Sequence, residues 1–372
     1  MGFMLVNNQH YRTIWSERIL TNGSSSVAIV DQTKLPHAFE VLSLSNLPQM
    51  VHAIKSMQVR GAPLIGAAAA YGMALAAQED ATDGALQAAA SSLRLSRPTA
   101  VNLNWAVSRM LDLMLSQPQA ARAQIAWAEA EKICDEDVLQ NQAIGQHGLV
   151  LMQQTRPKNA HIYHVLTHCN AGWLATVDVG TALAPIYAAH EAGIKVHVWV
   201  DETRPRNQGA SLTAWELGQH GIAHTVISDN AGGHLMQQGL VDMVLVGADR
   251  VSSVGDVCNK IGTYLKALAA FDNGVPFYAA VPSPTIDWSI KDALAEIEIE
   301  QRHGDEVAYM QGLAANGEMH SVRLIPTGSN TANPAFDVTP ARLVTGIITE
   351  RGVFSPADLV SMRLSKVSMG AN

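Results

Sequence analysis

A change of hydrophobic period after residue 160 constrains this chain more than any other feature. Residues 161–169, 194–200, 224–228, 243–248 and 276–281 are short apolar runs of strand length, and helical stretches of about ten or more residues separate most of them. Parallel strands need a crossover of that length, so the alternation predicts a doubly wound parallel sheet with right-handed connections. The chain before this point reads differently. From Ser45 to Gln153 it is almost entirely helical and rich in alanine, punctuated by Gly61-Ala62-Pro63, Arg97-Pro98-Thr99 and Ser116-Gln117-Pro118. Residues 1–30 alternate polar and apolar types, as in Thr13-Ile14-Trp15-Ser16-Glu17, and are expected to form a small sheet with a turn at Asn22-Gly23. At 372 residues the chain exceeds the size of a usual single core. The expected fold class is therefore α/β: a C-terminal Rossmann-like parallel sheet with a smaller, mainly helical N-terminal domain. The division is expected as 1–150 for the helical domain with its small sheet and 151–372 for the Rossmann-like domain.

In such sheets ligands bind beyond the carboxyl ends of the strands, so Cys169, Asp201, Ser228-Asp229 and Asp249 are expected at one rim. Cys169 lies in Thr167-His168-Cys169-Asn170-Ala171-Gly172, where a buried strand should hand over to a helix spanning Thr176 to His190. A thiol at a helix N-terminus titrates below its ordinary value of about 8.5, so part of Cys169 is expected as thiolate near neutral pH. The competing reading is a small buried hydrophobe, which a free cysteine usually is. A second polar cluster at another strand end, Gly247-Ala248-Asp249-Arg250, tips the balance toward chemistry.

No GxGxxG follows any of these strands. Gly61-Ala62-Pro63-Leu64-Ile65-Gly66 has Walker-type glycine spacing, but Ala67-Ala68 replace the required Lys and Ser/Thr. The start of the 61–77 helix could still hold a phosphate with the help of Arg60, or Gly61 and Pro63 could merely begin a packed helix; both readings stand. His161, His164 and His168 have metal-ligand spacing only on a helix, and in a strand 161 and 164 point to opposite faces. Asp256, Asn259 and Lys260 follow Asp249 through a Gly-containing turn into a helix expected over Lys260 to Ala270, a place suited to an anionic or hydroxyl-rich ligand; an N-cap is the other reading of Asn259.

Composition narrows the partners. Hydrophobic residues make up 48% and charged residues 16%, as in a folded globular chain, and a net charge of −8 with dispersed basic residues offers no footprint for nucleic acid or an anionic membrane. The uncharged run Gly61 to Ala77 is mostly Ala and Gly and reads as a packed soluble helix. Cys134, Cys169 and Cys258 fit neither a disulfide framework nor a CxxC metal site, and no targeting signal is visible at the N-terminus, so a reducing cytoplasm is expected.

Taken together, several blocks resemble the bacterial methylthioribose-1-phosphate isomerases of methionine salvage. They are Arg60-Gly61-Ala62-Pro63-Leu64-Ile65-Gly66, Arg97-Pro98-Thr99-Ala100-Val101-Asn102-Leu103, Thr167-His168-Cys169-Asn170-Ala171-Gly172, Asp201-Glu202-Thr203-Arg204-Pro205, Gln208-Gly209, Leu212-Thr213-Ala214-Trp215-Glu216-Leu217, Gly247-Ala248-Asp249-Arg250, Asn259-Lys260-Ile261-Gly262-Thr263-Tyr264 and Asn333-Pro334-Ala335-Phe336-Asp337-Val338-Thr339-Pro340. The wider superfamily includes the alpha, beta and delta regulatory subunits of eukaryotic initiation factor 2B, which share the fold without the isomerase chemistry, so fold alone cannot decide function. The resemblance implies that Cys169 and Asp249 form the catalytic pair. It further implies that Arg60, Gly61, Ala62, Arg97, Gln208, Asn259 and Lys260 hold a phosphosugar, that no cofactor or metal is needed, and that the chain forms a homodimer largely through its C-terminal domain. Val254 and Cys258 depart from the residues usual in the family. The implied reaction turns an aldose 1-phosphate into a ketose 1-phosphate. An isomerase of 5-deoxyribose 1-phosphate or ribose 1,5-bisphosphate is the neighbouring reading, and a non-enzymatic sugar-phosphate or nucleotide sensor the more distant one; retention of both Cys169 and Asp249 argues against the sensor. Met57, Met73 and Trp105 are candidates for an apolar pocket around a methylthio group, or for core packing.

Overall fold

The computed structural model describes residues 3–18, 25–155 and 161–362. Its central sheet has seven strands in the spatial order Gly352–Phe354, Gly346–Thr349, Phe277–Ala280, Met243–Val246, Tyr163–Thr167, Val196–Asp201, Ala223–Ile227. All neighbours are parallel except the hairpin of the first two. The five expected strands are all present, each ending within a few residues of its expected bounds. Starting from Tyr163–Thr167, the chain builds outward on one side through Val196–Asp201 and Ala223–Ile227. It then returns to build the other side from Met243–Val246, so the strand order reverses between Tyr163–Thr167 and Met243–Val246. In open α/β sheets that reversal opens a crevice at the carboxyl edge. Cys169 and Asp249 come just after the two strands that flank it.

Two helices start later than expected, for local reasons. The helix expected from Thr176 begins at Ala184, preceded by a single 3-10 turn at Trp173–Ala175 and a loop. In that loop Thr176 Oγ1 accepts from Gly180 N–H and Asp178 Oδ1 from Val179 N–H, while Val179 and Gly180 adopt positive φ. Short polar side chains that capture nearby backbone groups compete with the helix. The helix expected from Lys260 begins at Thr263, because Asn259 and Lys260 end the strand Val257–Lys260 and Gly262 turns the corner at φ 103°. That strand belongs to a second, four-stranded sheet with Arg250–Ser252, Ile286–Asp287 and Phe336–Thr339.

The N-terminal sheet is present as antiparallel strands Ile14–Arg18, Ser25–Val30 and Val41–Leu44; the turn expected at Asn22-Gly23 lies outside the described residues. Five helices follow: Leu47–Lys55, Ala62–Glu79, Asp83–Arg94, Val101–Leu115 and Gln119–Thr155. Ala62–Glu79 is buried nearly all round. Its small residues allow this: a Cβ at Gly66 would lie 3.1 Å from the Asn102 carbonyl oxygen, so the neighbouring helix sits almost backbone to backbone. The long helix Gln119–Thr155 closes onto the helix Ala184–Glu191 in the same way, since side chains at Gly145 and Gly148 would press into Ala184 and Pro185. No helix among the described residues is long and apolar enough to cross a membrane.

Candidate active site

Cys169 sits beyond the strand Tyr163–Thr167 with φ 65°, a left-handed conformation costly for a residue with a Cβ. Side chains from the adjoining segment hold it there. Its N–H donates to Thr203 Oγ1 at 2.8 Å, its carbonyl accepts from Thr213 Oγ1 at 2.7 Å, and its thiol donates to Gln208 Oε1 at 3.2 Å. Asn170 then turns inward. It gives its amide N–H groups to Glu216 and Thr213, and takes both terminal nitrogens of Arg60, one on its side-chain oxygen and one on its carbonyl. Glu216 is fully buried beneath this loop and accepts from Trp173 N–H, Leu174 N–H and the Tyr187 hydroxyl, at 2.9 to 3.0 Å. Burial pushes its carboxyl up to about 7 against the pull of those hydrogen bonds. Gly172 is required here, because a Cβ would collide with the Glu216 carboxylate.

Asp249 follows the strand Met243–Val246, its N–H donating to the Cys258 carbonyl at 3.0 Å. Burial raises its carboxyl, opposed by Lys260, Arg97 and Arg60. Lys260 donates to the Ala335 carbonyl at 2.9 Å and lies 4.6 Å over the Phe336 ring; Asn259 donates to Thr263 Oγ1 at 3.0 Å. Arg97 reaches in from the loop between two N-terminal helices, with one terminal nitrogen 3.2 Å from Glu300. A cavity of about 60 Å³ is lined by Arg60, Gly61, Ala62, Arg97, Cys169, Gln208, Asp249, Asn259 and Lys260 together. It adjoins a larger cavity of about 540 Å³ whose lining shares Met57, Arg60 and Gln208. The hairpin Tyr309–Leu313 and Met319–Arg323 walls that outer space.

Some expectations are corrected here. No helix starts at Cys169, and burial raises its thiol; the lowering influence comes from Arg60 and Lys260 instead of a helix terminus. Asp201 and Asp229 do reach the rim but do not line the cavity. Asp201 is buried and takes His168 Nδ1 at 2.8 Å and Lys266 Nζ at 3.1 Å, while Asp229 accepts from Thr203 and Arg204 N–H. His168, Asp201 and Asp229 stand close enough to suggest a metal site, yet the Lys266 ammonium already supplies the positive charge between them. The histidine triplet does not converge: His168 points to Asp201, whereas His164 packs its ring on His197 and Trp199. Asp256 ties backbone together instead of facing a ligand, accepting from Ala341 and Ala293 N–H. At the 62–79 helix, Gly61 has φ 97° and a Cβ would strike Ala175, so the glycine packs closely on Ala175 while it and Ala62 both line the cavity. Met57 lines both cavities; Met73 is core, and Trp105 packs on the helical core. Val254 and Cys258 do not line the cavity.

Thr203, Thr213 and Glu216 were not singled out from the sequence, although each fell inside a quoted block. The detectable signal was Gln208-Gly209: a Cβ at Gly209 would collide with the Asp201 carbonyl, marking a close approach of two backbones beside the cysteine loop.

Comparison with known proteins agrees with this geometry. The initiation factor 2 subunit family matches residues 58–356. A methylthioribose-1-phosphate isomerase from Rhodospirillum rubrum is 60% identical over 356 residues, covering 94% of this chain and 90% of its own. Among solved structures, 5-methylthioribose 1-phosphate isomerase from Pyrococcus horikoshii OT3 superposes with a TM-score of 0.80 at 40% identity, covering 96% of this chain and 97% of that one. A translation initiation factor eIF-2B delta subunit from A. fulgidus gives 0.76, also at 40% identity, over 94% and 97%. The structural likeness thus extends to both named groups, whereas the relative at 60% identity carries the isomerase name. This chain belongs to the initiation factor 2 subunit family and, within it, to the methylthioribose-1-phosphate isomerases.

Proposed function

We propose that the chain converts 5-methylthioribose 1-phosphate into 5-methylthioribulose 1-phosphate, the aldose-ketose isomerisation of methionine salvage. The observation that carries this reading is the convergence of Cys169 and Asp249 with Arg60, Arg97 and Lys260 in one small cavity at the sheet's reversal point. A phosphate dianion needs fixed cations. Arg60 spends its terminal nitrogens on Asn170 and contributes charge, while Arg97 Nε has no hydrogen-bond partner among the described residues and is free to take a phosphate oxygen. Lys260 and the start of the helix at Ala62 complete the phosphate end, and Gln208 and Asn259 face the sugar hydroxyls.

The anomeric oxygen carries phosphate, so no free aldehyde exists and the ring must be opened first. Asp249, whose carboxyl burial raises, donates a proton to the ring oxygen as the bond to C1 breaks. Phosphate binding favours this state, since the dianion offsets the three cations that hold the carboxyl down. Cys169 as thiolate then removes the C2 proton and returns it to C1, and the C2 hydroxyl proton goes back to Asp249 as the ketone forms. Atoms and charge balance over the cycle. In a rival route Cys169 stays the thiol that donates to Gln208, the C2 hydrogen moves to C1 as hydride, and the Asp249 carboxylate takes the C2 hydroxyl proton. Solvent deuterium at C1 of the product marks proton transfer, and complete retention of a C2 label marks hydride transfer.

The reading extends to a helical domain over 1–150, a Rossmann-like domain over 151–372, a homodimer built through the latter, and a cytoplasmic setting. The test is turnover of methylthioribose 1-phosphate by purified protein without added metal or nucleotide. Activity only on 5-deoxyribose 1-phosphate or ribose 1,5-bisphosphate would move the substrate, and silence on all three would leave a sensor. Sedimentation at two concentrations tests the dimer.

A further inference from the structure

Arg97 occupies a loop between the helices Asp83–Arg94 and Val101–Leu115, its carbonyl accepting from Ala100 N–H at 3.0 Å. Its further anchors come from the other half of the chain. Arg250 donates to the Thr99 carbonyl at 2.7 Å, and Glu300 Oε2 takes one Arg97 terminal nitrogen at 3.2 Å. Glu300 is itself fixed. Its other oxygen accepts from Arg302 at 2.9 Å, and its backbone carbonyl accepts from Ala335 N–H at 2.9 Å. The carbonyl of that same Ala335 holds Lys260 Nζ at 2.9 Å. Beyond Glu300 the chain of charges continues: Arg302 forks onto Glu306 at 2.7 and 2.9 Å, and Glu306 takes Arg206 at 2.9 Å, two residues before Gln208. Three arginines and two glutamates leave the network with one net positive charge, and the Arg97 Nε, buried and without a hydrogen-bond partner among the described residues, is a donor that the network leaves unused.

We propose that Glu300 is a positioning residue for the substrate's phosphate: its carboxylate grips one edge of the Arg97 guanidinium so that the Nε edge faces the cavity. The proposal rests on the reading of the chain as a phosphosugar isomerase. Two effects oppose each other in such a clip. A carboxylate repels phosphate, but it also removes the rotamer freedom of a long side chain before binding. Arg302 already neutralises much of the Glu300 charge, so ordering wins and loss of the carboxylate weakens phosphate binding.

The experiment compares Glu300→Gln, Glu300→Asp and Arg97→Ala in the full chain by steady-state kinetics, with inorganic phosphate as competitive inhibitor. Glu300→Gln should raise KM and the phosphate inhibition constant together by about tenfold while kcat moves less than about threefold, the pattern of lost uniform binding. Glu300→Asp, which keeps the charge but withdraws it by one methylene, should recover part of the loss. In the Arg97→Ala background Glu300→Gln should add almost nothing, since the two act as one unit. Unchanged KM and phosphate inhibition with only a lower melting temperature would make Glu300 a structural strut, and a fall in KM would make it a competitor for the arginine; either overturns the proposal. Failure of the isomerase reading looks different. Wild type would then not turn over, and calorimetry with inorganic phosphate would still decide whether Glu300→Gln weakens anion binding at Arg97.

Discussion

Two buried thiol–carboxylate pairs, one from each half of the chain, invite comparison. In the helical half, Cys134 and Asp137 lie on the helix Gln119–Thr155; at the strand-end rim, Cys169 and Asp249 line the cavity. Burial acts on both pairs alike, raising every one of these groups above its ordinary value. Their surroundings differ. Cys134 is fully enclosed and burial pushes it up to about 12, and the cation acting on it, Arg12, is engaged 2.8 Å from Asp135. Cys169 and Asp249 face Arg60, Arg97 and Lys260 across a space that a ligand can enter. Residue types are therefore shared by the two pairs, and what separates them is a cavity with three fixed cations beside the rim pair.

The sharpest way to break the comparison is to remove each pair in turn. Cys169→Ser and Asp249→Asn should each lower kcat by on the order of a hundredfold or more, the scale of a positioned acid or base. Cys134→Ala should leave kcat within about twofold while costing on the order of 1 kcal/mol of stability, as expected for a small core truncation. Comparable kinetic losses from both cysteines would mean that the rim is not where the chemistry occurs.

How far this difference was legible in the sequence depends on the range of the interactions. The five expected strands were readable because each is a short apolar run bounded by turns, and their carboxyl ends alone were enough to bring Cys169 and Asp249 to one rim. The strand Gly346–Thr349 is harder to read although it is wholly buried, since its apolar run is only Ile347-Ile348 between a glycine and a threonine. The cysteine loop reads as the approach to a helix, because the contacts of Cys169 with Thr203 and Thr213 appear only once the segments meet. For the same reason the sequence could supply Cys169 but not the sign of its shift. That sign depends on burial and on arginine and lysine residues from distant segments.

Those cations provide the next test. Lys260→Met removes a charge that favours the Cys169 thiolate, so the thiol should rise further and its alkylation by iodoacetamide near pH 8 should slow several-fold, because the thiolate is the reacting form. Mass spectrometry of the labelled peptides would separate Cys169 from Cys134, which should label negligibly in both proteins. An unchanged Cys169 rate would remove Lys260 from the electrostatics of the pair.

The smallest effect concerns the helical pair. Asp137 accepts from Val177 N–H at 2.8 Å and from Asn141 at 3.0 Å, joining the long helix to the loop that follows Cys169, and burial raises its carboxyl to about 7. In the unfolded chain the group titrates near about 3.9. The folded state therefore binds the proton more tightly. The stability this contributes is full below the unfolded value and is lost as pH rises through about 7, beyond which the buried carboxylate carries its whole desolvation penalty. Asparagine keeps an acceptor for Val177 and cannot ionise. The melting temperature of Asp137→Asn relative to wild type should accordingly be higher at pH 8 than at pH 5, with kcat little changed at either. A difference that stays constant across that range would show that Asp137 is ionised throughout, held by its hydrogen bonds against burial.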